Sequence, residues 1–171
     1  MRERRRSIIT APASVRSVGE AVMAADRLLE TAKAQADAQV SERNAREKAE
    51  LLRQLGMEEG ESATKASRTM LRQLEEDQKR RSKRALTDAI DRALIDLLAV
   101  YRDVLMVQVG GEEELINTDL EDLVRAIAGE STASQTLARV DHIETARRRL
   151  VSNGNPLLVL EDMAISLRPQ A

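Results

Sequence analysis

The stretch Arg84-Ala-Leu-Thr-Asp-Ala-Ile-Asp-Arg-Ala-Leu-Ile-Asp-Leu-Leu-Ala-Val-Tyr-Arg-Asp-Val-Leu-Met-Val-Gln-Val109 decides the fold. Its apolar side chains stand at Leu86, Ile90, Ala93, Leu94, Leu97, Leu98, Tyr101, Val104 and Leu105, in alternating steps of three and four. That spacing is one face of a long helix, and the face is wide enough to be a core rather than a seam. Asp88, Asp91, Arg92, Asp96, Arg102 and Asp103 are expected on the remaining, wetted surface. The chain on either side reads as helix as well, so the expected class is all-α, a helical bundle with a long antiparallel helical hairpin.

Composition narrows what such a bundle can do. The chain has 171 residues, a third of them charged, yet a net charge of only −2, so no global field draws it to nucleic acid or membrane. It has no Cys, Trp or Phe, and Tyr101 is its single aromatic residue. A core must come from Leu, Ile, Val, Met and Ala, and base stacking on aromatic platforms is excluded. The lack of Cys removes disulfides and thiolate metal sites and fits a reducing cytoplasm, the expected location. No apolar run approaches the length of a membrane span, and the basic start is not followed by the apolar segment of a secretory signal.

Toward the N-terminus, Ser17-Val-Gly-Glu20 has the form of a capping box. A narrow, alanine-rich stripe follows: Val22, Ala25, Leu29, Ala32, Ala36, Val40, Ala45, Ala49 and Leu52. Small residues let one helix approach closely but bury little area, so this helix should pack well at its start and weakly toward its middle. A turn is expected over residues 56–62. A second helix should begin near Ser62 or Ala63, run unbroken into the central stretch or bend near 76–84, and end at Gly110-Gly111. Thr118-Asp-Leu-Glu121 and Thr132-Ala-Ser-Gln135 repeat the capping box. The first should open a short helix closing at Gly129, and the second a helix with Leu137, Val140, Ile143, Ala146 and Leu150 inward. Asn155-Pro156 places an N-cap before a proline at the first helical position. The helix it opens, with Leu157, Leu158, Val159, Leu160, Met163, Ala164, Ile165 and Leu167, is apolar nearly all round, so it is either central or partner-covered.

Candidate chemistry is sparse. His142 is the only histidine, and the residue three before it is Arg139, so the Glu-x-x-His pair of a di-iron bundle is missing. None of the seven glycines precedes a lysine, so there is no phosphate-cradling P-loop. Neither a metal nor any other cofactor is expected, and neither is catalysis. Lys79, Arg80, Arg81, Lys83 and Arg84 form a basic run that could touch nucleic-acid phosphates. The favoured reading is a solvated face balanced by Glu75, Glu76, Asp77 and Asp88, and contact with DNA is expected to be weak or indirect.

The sequence from about Ser67 to Leu167 resembles the C-terminal domain of the delta-prime family of bacterial DNA polymerase III subunits, in the form found in high-GC Gram-positive bacteria. The resemblance rests on Asp88-Ala-Ile-Asp-Arg-Ala-Leu-Ile-Asp-Leu-Leu-Ala-Val-Tyr-Arg-Asp103 and Asn153-Gly-Asn-Pro-Leu-Leu-Val-Leu-Glu161. The region from Arg2-Glu-Arg-Arg-Arg6 to Ser17-Val-Gly19 looks like the junction where that family leaves its AAA+ module. The resemblance implies a non-catalytic clamp-loader subunit whose helical collar domain joins those of the delta and gamma/tau subunits. The assembled complex loads the sliding beta clamp onto primed DNA. It also implies three regions: residues 1–16 as a junction to an absent upstream AAA+ module, 17–84 as an enlarged hairpin, and 85–171 as the collar bundle. Tyr101, Arg102, His142 and Arg147 are the expected interface residues. The competing reading is a free-standing hairpin adaptor or regulator that self-associates through residues 20–84.

Overall fold

The computed structural model describes residues 10, 13, 15–57, 64–111 and 114–168. Among them are five α-helices, one 3-10 turn and no strand. The helices are α1 (Val18–Gln54), α2 (Lys65–Gln108), α3 (Glu121–Glu130), α4 (Ala133–Val151) and α5 (Pro156–Ser166); Thr118–Leu120 is the 3-10 turn. The all-α class read from periodicity is the class observed. Most of the turn expected over 56–62, the helix start at Ser62 or Ala63, and most of the junction over 1–16 lie outside the described residues. Helix α2 runs through 76–84 without a break.

The chain divides into two compact units, one of Met1–Ala32 with Ile90–Ala171 and the other of Lys33–Ala89. In the first unit, α1 contributes Ala21, Ala24, Ala25, Leu28, Leu29 and Ala32, and α2 contributes Ile90, Leu94, Leu97, Val100, Tyr101 and Val104, all buried. Val124 and Ile127 of α3 are buried as well, as are Ile143, Ala146 and Leu150 of α4. Helices α4 and α5 pack on each other, and α5 buries Val159, Leu160, Met163 and Ala164, with Leu167 just beyond it. Leu158 of the same helix stays 62 % exposed, so the nearly all-round apolar pattern is satisfied on one side and open on another.

Three of the four start signals act as the sequence suggests. Glu20 N–H donates to Ser17 Oγ at 3.1 Å, and Glu20 Oε2 accepts from the Ser17 and Arg16 amides at 3.2 and 2.7 Å. Thr132 and Gln135 form the complete reciprocal box. Asn155 Oδ1 accepts from the Leu157 and Leu158 amides, with Pro156 at the first helical position. The fourth does not: Thr118 opens a 3-10 turn, and α3 starts at Glu121 without a side-chain cap.

The cause is Asp103, which the periodicity placed on the surface and which is fully buried. Its Oδ2 accepts from the Asn117 backbone and side-chain N–H groups, both at 2.8 Å, and its Oδ1 from the Ile116 amide at 3.1 Å. Arg102 donates to Oδ1 at 2.9 Å. Asn117, held from two sides, takes the position before the turn, and Leu120 N–H closes back on its carbonyl. Burial raises the pKa of Asp103, but the Asn117 and Ile116 amides, the Asn117 side chain and Arg102 outweigh it, and the net direction is downward.

Two further expectations are corrected. Helix α3 passes through Gly129 to Glu130, and Ser131 Oγ then donates to the Ile127 carbonyl at 2.6 Å. In α4 the inward stripe is Thr136, Arg139, Ile143, Ala146 and Leu150, and Leu137 is exposed. Apolar identity favoured Leu137, but the buried face lies one residue earlier and accepts two polar side chains.

The turn between α4 and α5 is tight. Asn153 adopts φ 63°, in the left-handed region that a non-glycine residue enters at a cost. A Cβ on Gly154 would lie 2.8 Å from the Arg149 carbonyl oxygen and 2.9 Å from a Val159 methyl. Replacing Gly154 with Ala therefore forces backbone to move and is expected to destabilise the chain by about 1–3 kcal/mol, measured by urea denaturation. Replacing Asp103 with Ala strands buried N–H donors, and is expected to cost about 1–3 kcal/mol or more in the same assay. Because its folded pKa is depressed, the Asp103 contribution is complete above the unfolded pKa and fades as pH falls through the folded value.

Candidate subunit interface

In the second unit, helix residues 33–54 and 65–89 run antiparallel, since contacts that rise in number along α1 fall along α2. Ala36, Val40 and Ala85 form a small buried cluster with Leu86 against it. Beyond this cluster the pairing is polar. Gln78 Nε2 donates to the Asn44 carbonyl at 2.8 Å. Arg81 donates to Asn44 Oδ1 at 2.7 Å and holds Glu47 with two hydrogen bonds, at 2.8 and 3.1 Å. Arg43 adds a third contact to Glu47 at 2.8 Å. Farther on, Leu51, Met70 and Leu74 line an open cleft.

This clamp decides what the basic run is available for. Arg81 is spent on Glu47 and Asn44, and Arg80 pairs with Asp77. Lys79 and Arg84 are exposed. A face whose central arginines are engaged within the hairpin offers phosphates less charge than five cations in six residues suggest.

In the first unit, Tyr101 does not lie on the exposed side of the central stretch: it is 0 % exposed, and burial pushes its hydroxyl pKa up to about 12. Arg102 is half-buried between Asp103 and the Glu114 carbonyl, which it reaches at 3.3 Å. His142 is exposed on α4. Arg147 is drawn inward, donating to both Asp91 oxygens at 2.7 and 3.3 Å and to Glu144 at 3.1 Å. The Asp91 bonds come first among the causes that raise its pKa. Arg149 pairs with Asp162 and Arg148 donates to Thr145 at 2.8 Å, so the Arg147–Arg149 run serves side-chain partners rather than only the helix dipole.

Besides its charged residues and Val18, Met23, Val109 and Ile116, this unit leaves in water Ile95 on α2, Leu137 and Val151 on α4, and Leu158 on α5, with Val151 the most open at 77 %. Single exposed apolar residues are ordinary, but here they stand on three of the helices that build the unit. Sequence reading named the cations and overlooked these four. Leu158 was visible in the all-round pattern of α5, while Ile95 and Val151 carried no signal beyond their type.

The sequence model of the family described as "DNA polymerase III, delta subunit, C terminal" matches residues 49–168. The chain belongs to this family. It is also 35 % identical over 72 residues to the DNA polymerase III subunit delta' of Bacillus subtilis strain 168, a match covering 42 % of this chain and 22 % of that protein. The chain thus spans about a fifth of the length of the curated relative it matches. No solved structure matches it. The family region takes in Gln78 and Arg81 of the clamp, the whole of α3 to α5 and Ile95, Leu137, Val151 and Leu158, whereas Asn44 and Glu47 precede it.

The clamp carries a pH signature. Hydrogen bonds from Arg81 and then Arg43 hold Glu47 down to about 2, below its ordinary 4.5. Its stabilising effect is therefore complete above pH 4.5 and lost as pH falls toward 2. Helicity of the full chain followed by circular dichroism should fall more steeply between those values in the natural protein than in Glu47→Gln. Added salt should narrow the difference between the two, since the pair is solvent-accessible.

Proposed function

We propose that this chain is a non-catalytic assembly domain of a DNA polymerase III clamp loader, of the delta-prime type. In this reading it joins the delta and gamma/tau subunits in a cytoplasmic complex that loads the sliding beta clamp onto primed DNA. The observation that carries the reading is the combination in the first unit of internally engaged arginines with Ile95, Leu137, Val151 and Leu158 left exposed. Fully burying one such side chain is worth about 1.5–3 kcal/mol, against about 0–1 kcal/mol for an exposed ion pair. Association through this surface would therefore draw mainly on apolar area. His142 and Arg102 would stand at its rim, Arg147 would act through Asp91, and Tyr101 would support the surface from beneath. The residues 79–84 would contribute to DNA contact only weakly, because Arg80 and Arg81 are engaged within the hairpin.

The competing reading, self-association through the hairpin, is favoured by one feature, the open cleft lined by Leu51, Met70 and Leu74. Size-exclusion chromatography with light scattering separates the two. Mixed with the C-terminal domains of gamma/tau, the natural chain should run as a hetero-complex. The double variant Val151→Glu, Leu158→Glu should weaken that complex at least about tenfold without lowering the thermal midpoint of the isolated chain, because both residues are already exposed. A homodimer indifferent to gamma/tau, and sensitive instead to Met70→Glu, would overturn the proposal.

A further inference from the structure

Of the asparagines in the chain, Asn153 alone is followed by glycine; the others, Asn44, Asn117 and Asn155, precede Ala45, Thr118 and Pro156. In an asparagine–glycine pair the backbone nitrogen attacks the preceding side chain most readily, because glycine sets no Cβ in the way and leaves the chain free to turn. Asn153 is exposed, so water reaches it, and it lies in the connection between α4 and α5 rather than inside either helix. Sequence and accessibility mark it for deamidation, while the local geometry works against the reaction.

That geometry is a helix-ending turn held on both sides. Asn153 N–H donates to the Leu150 carbonyl at 3.2 Å and Gly154 N–H to the Arg149 carbonyl at 2.8 Å, the paired bonds that close a helix through a left-handed residue. Asn153 is that residue, at φ 63°. Gly154 has no room to shift toward α4 or α5, since an added Cβ would lie 2.8 Å from the Arg149 carbonyl oxygen and 2.9 Å from a Val159 methyl. Just beyond it, Asn155 Oδ1 accepts from the Leu157 and Leu158 amides. The nitrogen that would attack thus has its hydrogen engaged and its position set by the elements before and after it.

We propose that Asn153 is a site of spontaneous deamidation that the α4–α5 turn keeps closed, so that conversion proceeds from molecules in which the turn has opened. In the open turn the Gly154 nitrogen forms a bond to the Asn153 side-chain carbonyl carbon. Its proton passes to the departing amide nitrogen, the side-chain carbon–nitrogen bond breaks, and ammonia leaves behind a cyclic succinimide. Water then adds to one of the two ring carbonyls and opens the ring. Attack at one carbonyl gives aspartate and at the other isoaspartate, with no oxidation or reduction. Either product brings a carboxylate to position 153, and isoaspartate also lengthens the main chain by a methylene inside a turn that has no slack. The modification therefore records past opening of this turn, independently of what the chain assembles with.

The full chain is incubated at one mildly alkaline pH, folded in buffer and unfolded in concentrated urea. The peptide spanning position 153 is followed by mass spectrometry, with isoaspartate counted by enzymatic methylation. Conversion at Asn153 should lead that at Asn44 and Asn117 in urea, and should be at least about tenfold slower in the folded chain. Equal rates in the two conditions, or an Asn153 that stays intact in urea, would overturn the proposal. Asn155→Ala removes the acceptor for two α5 amides and leaves Asn153 and Gly154 in place. Its rate in urea should match that of the natural chain, while its rate in buffer should rise by about threefold or more. A rate in buffer equal to that of the natural chain means that the turn does not control the reaction, and sinks the idea. Should circular dichroism show that Asn155→Ala does not fold, hydrogen exchange at the Gly154 amide of the natural chain takes its place. Protection of that amide is expected, and free exchange overturns the proposal.

Discussion

Asp103 is a charged side chain placed where the apolar face of α2 is most completely buried, beside Tyr101 and Val104. A carboxylate in that position is tolerated because every direction it faces supplies a donor: two backbone amides, one side-chain amide and a guanidinium. The donors come from the segment that follows α2 in sequence, so meeting the charge also fixes where that segment passes. From that fixed point the 3-10 turn and α3 follow, and Val124 and Ile127 reach the interior. An amino acid that looks like surface decoration in the pattern is the residue that closes the bundle around its longest element.

The two units are held by different physics. The first buries Leu, Ile, Val and Met from five helices, with the ion pairs Arg147–Asp91 and Arg149–Asp162 lying across its surface. Among the described residues the second has Ala36, Val40 and Ala85 as a buried cluster and relies beyond it on Gln78 and Arg81 reaching Asn44 and Glu47. Alanine removes little surface from water, so a hairpin built on it depends more on directional polar contacts. Such contacts respond to acid and salt in a way that a leucine core does not. The second unit is therefore the part of the chain most sensitive to its solution conditions.

Much of this was legible in the residues. The face of α2 is right at Ile90, Leu94, Leu97, Tyr101 and Val104, and the caps at Ser17, Thr132 and Asn155 work as written, because both depend on local spacing. Membership of the polymerase III family was legible too, through the order of the packing motifs. Asp103, Thr136 and Arg139 were not, since a polar residue on a helix is assigned outward unless its distant partners are known. Thr118 failed for the same reason: its local sequence suits a cap, but the neighbouring Asn117 is committed to a carboxylate 14 residues earlier. Tyr101 was read both as part of the apolar face and as part of a docking surface, and burial allows only the first.

That tyrosine has a consequence of another kind. It is the sole aromatic side chain in the protein, and its hydroxyl is sealed inside the first unit with its ionisation deferred to about pH 12. Near-ultraviolet absorbance and fluorescence therefore come from a single chromophore near the C-terminal end of α2, free of background from any other ring. Tyrosinate absorbance that emerges near the ordinary value of 10 marks molecules in which this helix has let go of its neighbours, so the native chain carries its own optical gauge of whether that bundle is closed.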